Sequence, residues 1–481
     1  MKISVSKRCI YRKLGDTVFI EHLNNPLSRQ IIGGIGTEVW DYLEHQPTDT
    51  EKIVKDLSER YKVRAQRIER DVFRFLNQLY QHKLIEVIDG ESLGDKGSFF
   101  PDSPENCSEP TRESESATLY EQVMQQVEDM KLVIKAHIEV TYACNFKCVQ
   151  CYVGPLLNDK RIFHNQLTTN ELIDIISQLT EQGCMRLTFT GGELFSRGDI
   201  LEVLQYASDK RCAVRLQTNG SLITEEIARR LRDIPTLETV EVSVYGMDQE
   251  TSDSITRVKD SLERTVNSIR LLKDNELPVY LKYVLMRQNT SGIHKARGLA
   301  EEMGIHFLTG MGNIYPTTTG GSKNTEYQVP EEDILKLFVE GKVPVPHIAG
   351  DCSTSGWLCK AGVVRCSITP TGDVWPCERL PFSFGNIRQR SFKDIWFSER
   401  AEWYRGMIKE EHNICKTCSM RQCCYQCWAM PYLYGNGISV EDALDFKGYS
   451  KMNCRLTNIT QRGHELVHVQ RKPGSVYSQV F

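Results

Sequence analysis

Hydrophobic and polar residues follow a repeating pattern between about residues 130 and 311. Short apolar runs typical of buried strands are separated by segments with apolar residues at helical spacing. The strand-like runs cover 132–141, 185–190, 213–218, 239–245, 278–286 and 305–311. Six strand-helix units in succession predict an α/β domain with a parallel sheet and helices packed outside it. In such folds the chemistry lies at the carboxyl ends of the strands.

One helix of this region has a complete start signal. Thr168 and Glu171 have the spacing of a capping box, and an apolar stripe follows them. The stripe consists of Leu172, Ile175, Ile176 and Leu179. We therefore predict a helix from Thr168 to Glu181.

The first ninety residues have the pattern of a small separate domain. Tyr11 to Leu23 predicts a hairpin that turns at Leu14-Gly15-Asp16. A helix is expected over Thr37 to His45, and a second helix after Thr50 as its N-cap. A third helix, with apolar residues at helical spacing, and a strand-like run then follow. The apolar residues of this helix are Ile68, Val72, Phe75 and Leu79, and the strand-like run covers residues 84–88.

Two other parts of the chain lack this regularity. Residues 91–128 are acidic, rich in Ser and Pro and poor in apolar anchors, which predicts a flexible linker. After about residue 340 the alternation fades into loops and cysteines, as expected where metal replaces a large apolar core. The predicted domains are therefore 1–90, 129–335 and 336–481, with the linker at 91–128.

Composition excludes several classes of protein. Of 481 residues, 40% are hydrophobic and 25% are charged, as in ordinary globular chains. A net charge of -4 argues against a broadly basic nucleic-acid binder. No stretch approaches the ~20 apolar residues that span a bilayer, and no apolar run follows the N-terminus as in a secretory signal. We therefore expect a cytoplasmic protein without membrane or nucleic-acid partners.

The seventeen cysteines are the unusual feature of the composition. An odd number without a secretory signal fits poorly with a disulfide framework, and clustered cysteines in a reducing compartment more often bind metal. Three of them lie within residues 144–151 and five within residues 415–427.

The first cluster consists of Cys144, Cys148 and Cys151, in a C-x3-C-x2-C loop directly after the first predicted strand. A structural zinc ion generally needs four ligands. A [4Fe–4S] cluster has four irons, so three thiolates leave one iron open to another ligand. The alternative is a partial zinc site or three unrelated thiols.

This loop resembles the defining motif of the radical S-adenosyl-L-methionine (SAM) superfamily. Thr190-Gly191-Gly192-Glu193, at the end of the second predicted strand, resembles the GGE element of that superfamily. The resemblance implies a partial (β/α)6 TIM-like barrel and a SAM-binding [4Fe–4S] cluster on Cys144, Cys148 and Cys151.

The same resemblance implies residues that contact SAM. Gly191, Gly192 and Glu193 would receive its methionyl amino group. Ser243 matches a position that touches its ribose or carboxylate, and Arg257 lies where some relatives bind that carboxylate. Two departures affect these contacts. Gln150 stands where an aromatic residue or histidine is frequent, and Val244-Tyr245-Gly246 stands where many relatives have Asp-Gly.

The C-terminal cysteines resemble the SPASM extension of this superfamily. Its opening is Cys359, twelve residues, Gly372, four residues and Cys377. The resemblance implies two auxiliary [4Fe–4S] clusters, each with four cysteine ligands. One set is Cys352, Cys359, Cys377 and Cys427, and the other is Cys415, Cys418, Cys424 and Cys454.

The SPASM resemblance has one irregular spacing and one alternative. Two residues separate Cys424 from Cys427 where three are usual; Cys423 would restore that spacing but spoil the preceding one. A zinc ribbon is the alternative, because paired C-x2-C motifs are also a zinc signature. For Cys184, Cys212 and Cys366, core packing is the expected role.

The front domain resembles the PqqD-like, winged-helix element that holds precursor-peptide leaders. The resemblance rests on Gly36-Thr37-Glu38-Val39-Trp40, the polar turn at Asp49-Thr50, and Leu84-Ile85-Glu86. In relatives the leader adds as a strand to a sheet edge. DNA binding by the same scaffold is the alternative, but the helices show no basic stripe that would face phosphates.

Together these resemblances imply a radical SAM oxidoreductase that matures a ribosomally made peptide through a 5′-deoxyadenosyl radical. Thioether cross-linking from cysteine is favoured, because auxiliary clusters could accept the electron released as the bond forms. Carbon–carbon cross-linking, epimerisation with Cys366 or Cys423 as hydrogen donor, and activation of a protein such as a sulfatase stay open. A zinc-stabilised binding protein is the non-catalytic alternative. The expected partners are a leader-bearing precursor peptide and a small electron donor of flavodoxin or ferredoxin type. No catalytic residue is identified beyond the cluster ligands.

Overall fold

The computed structural model describes residues 1–89, 124–321, 323–345, 359–409, 427, 429–434, 459 and 462–463. Its strands form three sheets. The strands are β1 (Lys2–Val5), β2 (Cys9–Leu14), β3 (Thr17–His22), β4 (Asn25–Gly33), β5 (Thr48–Asp49), β6 (Ile85–Val87), β7 (Lys135–Thr141), β8 (Arg186–Gly191), β9 (Ala213–Thr218), β10 (Leu237–Val244), β11 (Val279–Tyr283), β12 (His306–Thr309), β13 (Arg365–Ile368), β14 (Asp373–Trp375) and β15 (Gly385–Asn386).

The helices lie between these strands and follow them. They are α1 (Ile35–Glu44), α2 (Thr50–Tyr61), α3 (Ala65–Gln81), α4 (Lys160–His164), α5 (Thr169–Glu181), α6 (Ile200–Asp209), α7 (Glu225–Arg232), α8 (Gln249–Thr256), α9 (Ser261–Asp274), α10 (Ile293–Met303), α11 (Glu331–Val339), α12 (Phe392–Trp396), α13 (Glu399–Ile408) and α14 (Ala429–Tyr434). No helix within the described ranges is both long enough and apolar enough to cross a membrane.

Strands β7 to β12 form the parallel sheet that the hydrophobic pattern predicts. All six lie next to one another in chain order, and every neighbouring pair is parallel. In the part of the chain that the structure describes, β12 pairs only with β11. The sheet is therefore open at β12, as in a partial barrel.

The predicted capping box begins α5. The Thr168 side chain accepts a hydrogen bond from the Glu171 backbone, and the Glu171 carboxylate accepts one from the Thr168 backbone. The predicted apolar stripe of this helix is fully buried against the sheet. Both the start of the helix and its buried face are therefore confirmed.

The expectation that metal replaces an apolar core after residue 340 is wrong for residues 361–408. Strand β13 pairs in parallel with β7, so it extends the barrel sheet, and β14 and β15 continue it in antiparallel fashion. Phe392, Trp396 and Tyr404 are buried in the same hydrophobic core as the barrel strands. These residues fold on the barrel because the exposed edge of β7 provides hydrogen-bond partners and its helices provide apolar surface.

The front domain has more strands than the sequence predicts. The hairpin of β2 and β3 turns at Gly15 and Asp16 as expected, but β4 adds a third strand and β1, β5 and β6 form a second sheet. The N-cap of α2 is Asp49 rather than Thr50, because the Asp49 carboxylate accepts from the Glu51 backbone. Strand β6 confirms the predicted strand-like run at 84–88. Strands β1 and β5 were missed because two to four residues are too few for a periodic signal, and the nine-residue β4 was also not predicted.

The front domain packs against the amino-terminal ends of the barrel strands. The Arg12 Nε donates to the carbonyl of Cys184 at 2.7 Å, and Arg186 Nη2 lies 2.7 Å from the Glu21 carboxylate. Ile10 and Phe19 pack with Met185 and Ala213 in a small apolar cluster. The carboxyl ends of the strands, at the opposite end of the barrel, stay open for a site.

Several predictions fall outside the described residues. They concern most of the linker 91–128 and the cysteines Cys352, Cys415, Cys418, Cys423, Cys424 and Cys454. Cys184, Cys212 and Cys366 are buried in the barrel core, which confirms their packing role.

The Arg186–Glu21 ion pair gives a test of domain docking. Both side chains are largely buried, so we expect Arg186→Met to leave the Glu21 carboxylate with the half-exposed Arg29 as its remaining cationic partner, and to cost about 2 kcal/mol of stability. Differential scanning calorimetry should show a lower unfolding temperature. Arg161→Met is the matched control, because the side chain of Arg161 is 90% exposed in its pair with Asp159. Equal unfolding temperatures for both variants would contradict this role of Arg186.

Candidate active site

The loop with the first three cysteines follows β7 at the open end of the barrel. The backbone N–H groups of Lys147 and Val149 donate to the carbonyls of Thr256 and Ile255, at 2.9 and 3.0 Å. These carbonyls lie at the end of α8, which therefore holds the middle of the loop in place. The thiols of Cys144, Cys148 and Cys151 all line one cavity of about 390 Å³.

The three thiols share a buried environment. Burial raises the pKa of Cys144 to about 12, and it also raises the pKa values of Cys148 and Cys151. The neighbouring thiols raise the pKa of Cys148 further, because each thiolate would repel the others. Three thiolates can exist together here only when positive charge compensates them, which metal ligation does.

The spacing of the thiols bears on the kind of metal centre. No three Cys, His, Asp or Glu side chains in the described ranges come together as ligands of a single metal ion. In an iron–sulfur cluster each thiolate binds its own iron, so the sulfurs surround a shared space instead of meeting at a point. Three thiols around one cavity therefore fit a [4Fe–4S] cluster.

Gly191 and Gly192 lie against the start of the cysteine loop. Gly191 has a φ of 141°, and a Cβ there would lie 2.1 Å from the Thr141 carbonyl oxygen. A Cβ on Gly192 would lie 2.4 Å from the Ala143 carbonyl oxygen. The Gly192 and Glu193 backbones donate to the carbonyls of Thr141 and Ala143. Besides lining the cavity, the two glycines let the end of β8 pack directly on the chain that leads into Cys144.

Glu193 contacts protein groups rather than the cavity. Its carboxylate accepts hydrogen bonds from Thr218 Oγ1 and Asn219 N, both at 2.7 Å, and from Phe195 N at 3.2 Å. The side chain is fully buried and does not line the cavity. Burial raises the pKa of Glu193. The structure therefore places this carboxylate where it joins the ends of β8 and β9.

The other two predicted SAM contacts lie in different places. Ser243 lines the cavity beside Tyr245 and Gln150. Arg257 does not line it: this residue ends α8 with a φ of 58° and hydrogen-bonds Tyr327 on the outer side of the cysteine loop.

Several cavity residues were not predicted from the sequence. Lys282 and Gln217 both donate to the Glu241 carboxylate, at 2.9 and 3.0 Å. His137 and Glu378 also line the cavity, and the charges of His137 and Arg379 hold the pKa of Glu378 below its usual value although burial opposes this. The sequence contained one signal that could have identified such residues. Polar residues occupy inward-facing positions on neighbouring barrel strands, as Glu241 does opposite Gln217.

A second, smaller cavity contains cysteines from three separate parts of the chain. Cys359, Cys377 and Cys427 line it together with Arg365 and Tyr404, in a volume of about 110 Å³. These are three of the four ligands predicted for one auxiliary cluster, and Cys366 is not among the lining residues. Glu378 and Arg379 line both this cavity and the larger one, so they form the wall between them.

Comparison with known protein families gives three matches. Residues 138–298 match the Radical SAM superfamily. Residues 359–419 match the SPASM iron-sulfur cluster-binding domain, and residues 32–85 match the coenzyme PQQ synthesis protein D (PqqD). The chain is therefore a radical SAM enzyme, an α/β partial barrel with an N-terminal PqqD-like domain and a C-terminal SPASM domain. Its cofactors are SAM, the [4Fe–4S] cluster of this class and auxiliary iron–sulfur clusters.

Within this class, relatives with different named functions are similar to the chain. An AdoMet-dependent heme synthase of Methanosarcina barkeri is 29% identical over 328 residues, which cover 61% of this chain and 90% of the relative. Mycofactocin maturase MftC of Mycolicibacterium smegmatis is 27% identical over 304 residues, which cover 60% of this chain and 75% of that relative. Streptococcus suis SuiB, solved bound to precursor peptide SuiA, shares the fold with a TM-score of 0.55 at 14% identity, covering 89% of this chain and 96% of SuiB.

The close contact at Gly191 gives a test of the cysteine loop. We expect Gly191→Ala to displace Thr141 and the start of the loop, and so to reduce the iron bound per chain after anaerobic reconstitution. Iron and sulfide analysis measures this directly. Gly198→Ala is the matched control, because nothing lies within 4 Å of a Cβ at Gly198. Full iron content in Gly191→Ala would show that the contact is not required.

Proposed function

We propose that this enzyme is a maturase that modifies a ribosomally synthesised precursor peptide. We further propose that it forms cysteine thioether cross-links in that peptide. The observation that supports the proposal is the presence of two separate sites on one chain. One is the thiol-lined cavity at the carboxyl ends of the barrel strands, and the other is a groove on the front domain. A large substrate with a recognition segment and a reacting segment would use both sites.

The groove on the front domain lies between β4 and α3. Ile31 and Ile32 line one side, Val72 and Phe75 line the other, and Ile35 at the start of α1 is 53% exposed. Strand β4 pairs with β3 and has no second neighbour among the described strands. An edge strand beside an apolar groove can bind an extended peptide through backbone hydrogen bonds and side-chain contacts. We assign this groove to the leader.

We assign the SAM-binding [4Fe–4S] cluster to Cys144, Cys148 and Cys151. When bound, the cluster and SAM supply a 5′-deoxyadenosyl radical that abstracts hydrogen from the substrate. The protein contributes the surroundings: Gly191 and Gly192 fix the loop, and Ser243 offers a hydroxyl at the cavity wall. Glu193 acts on the site through Thr218 and Asn219.

We assign one auxiliary cluster to Cys352, Cys359, Cys377 and Cys427, and a second to Cys415, Cys418, Cys424 and Cys454. The small cavity that contains Cys359, Cys377 and Cys427 supports the first assignment. Glu378 and Arg379 line both this cavity and the larger one, so the two cavities are neighbours. An electron released by a substrate radical in the larger cavity would therefore have a short path to the auxiliary cluster. Cross-linking needs such an acceptor, which is why we favour it over epimerisation.

The domains 1–90, 129–335 and 336–481 each contain one of the matched ranges. We keep these boundaries for the proposal, although β13 belongs to the barrel sheet by its pairing with β7.

Haem synthesis is the second candidate function. The similarity to AdoMet-dependent heme synthases favours it. Haem synthesis would use the same cavity and cluster, but it would not require the groove on the front domain. Supplying a porphyrin precursor anaerobically with SAM and reductant, and following haem by absorption, distinguishes the two. Haem formation without any change in a co-expressed peptide would replace the maturase proposal.

Mass spectrometry of a co-expressed precursor peptide tests the maturase function. We expect a product lighter by two hydrogens for each cross-link, and no product with Cys148→Ala, which removes a proposed cluster ligand. Cys366→Ala is the matched control, because Cys366 is a cysteine of the same domain core that lines neither cavity. An unchanged mass with deuterium uptake from solvent would indicate epimerisation instead, and turnover by Cys148→Ala would refute the cluster assignment.

The exposed Ile35 gives a test of the leader groove. We expect Ile35→Asp to place a charge in the apolar groove and to weaken leader binding by about tenfold, measured by fluorescence anisotropy of a labelled leader peptide. Ile88→Asp is the matched control, because Ile88 is 52% exposed and lies outside the groove. Equal affinities of the two variants would show that the leader binds elsewhere.

A further inference from the structure

The cysteine loop has a second face, which points away from the cavity. A groove of about 600 Å³ runs along this outer face, and we call it the outer groove. Cys148 and Cys151 line both the outer groove and the cavity. The wall between the outer surface and the proposed cluster position is therefore a single loop of chain.

Exposed basic residues border the outer groove. Lys147 from the cysteine loop and Lys323 from the segment opposite both line it and are exposed. Neither lysine forms an ion pair with a carboxylate in the described part of the chain. Their ammonium groups are therefore available to a partner.

A third cation adjoins these lysines. Arg257 follows Thr256, whose carbonyl accepts from the Lys147 backbone, and it hydrogen-bonds Tyr327 at the edge of the groove. One carboxylate, that of Glu326, also lines the groove, and it hydrogen-bonds the same tyrosine. Two lysines against one carboxylate among the lining residues, with Arg257 adjoining them, give a locally positive surface on a chain whose net charge is -4.

We propose that the outer groove is the docking surface for an acidic one-electron carrier protein. The inference rests on the proposed function, because the cluster must be reduced before each SAM cleavage. A reduced carrier would lose one electron and the cluster would gain it, with no bond formed and no proton transferred. Two features support an acidic carrier. The charges of the outer groove complement an acidic protein, and Cys148 and Cys151 line both the outer groove and the cavity that would hold the cluster.

A substrate peptide fits this surface less well. The reacting group of the substrate must enter the cavity on the inner face, which the cysteine loop separates from the outer groove. An electron can cross one loop of chain, but a substrate carbon cannot. The two sites would therefore let the reductant and the substrate bind at the same time.

Charge reversal at the two lysines tests the docking surface. The variants are Lys147→Glu, Lys323→Glu and the double variant, each as reconstituted enzyme. Lys295→Glu is the matched control, because Lys295 is an exposed lysine on α10 that does not line the outer groove. The partner is a flavodoxin, and its affinity for each enzyme is measured from the fluorescence of the oxidised flavin across a series of salt concentrations.

We expect each single variant to weaken flavodoxin binding by about tenfold at low salt, and to reduce the salt dependence of binding. SAM cleavage driven by reduced flavodoxin should fall in parallel, while cleavage driven by dithionite, a small reductant that needs no docking surface, should stay unchanged in Lys323→Glu. Lys323 lies outside the cysteine loop, so Lys323→Glu keeps the test valid if Lys147→Glu disturbs the cluster.

The results separate this inference from the proposed function. Flavodoxin affinities equal to that of Lys295→Glu would overturn the docking surface, even where dithionite supports SAM cleavage. No SAM cleavage with dithionite in the unsubstituted enzyme would instead overturn the proposed radical SAM site. Weaker peptide binding with unchanged flavodoxin affinity in Lys147→Glu and Lys323→Glu would show that the groove serves the substrate.

Discussion

The close backbone contact between the ends of β7 and β8 is the constraint on which the site depends. The carbonyl oxygens of Thr141 and Ala143 accept from Gly192 and Glu193 at distances that leave no room for a Cβ at residues 191 and 192. This contact fixes the point at which the chain turns into the cysteine loop. The carbonyls at the end of α8 then hold its middle. Three thiols can surround one cavity because the backbone on both sides of them is immobilised by the barrel.

The same barrel separates recognition from chemistry. The front domain contacts the amino-terminal ends of the strands through Arg12 and the Glu21–Arg186 ion pair, whereas the cysteines lie at the carboxyl ends. All strands of a parallel sheet point the same way, so their carboxyl ends lie together, at the end of the barrel away from the front domain. A substrate that used both sites would have to span this distance, which suits a long flexible peptide better than a compact molecule.

Several charged side chains that line or adjoin the cavity have partners of opposite charge. Glu241 accepts from both Lys282 and Gln217, and Glu378 lies among His137, Arg365 and Arg379. Buried charges without such partners would be costly. Lys282, Glu378 and Arg379 give the cavity a polar wall, and Glu378 and Arg379 also line the small cysteine-lined cavity.

The sequence by itself determined the elements with strong local signals. The six barrel strands and the buried stripe of α5 follow from periodicity, and the start of α5 follows from its capping box. The cluster-binding role of Cys144, Cys148 and Cys151 was predicted from the resemblance of their spacing to a family motif. The tertiary structure decided what depends on distant contacts. It joined β13 to β7, brought Cys359, Cys377 and Cys427 together, turned Glu193 toward Thr218 and placed Arg257 on the outer face of the loop. These outcomes depend on contacts between strand edges and side chains that are far apart in the sequence. Hydrophobic periodicity reports local structure and contains no information about such long-range contacts.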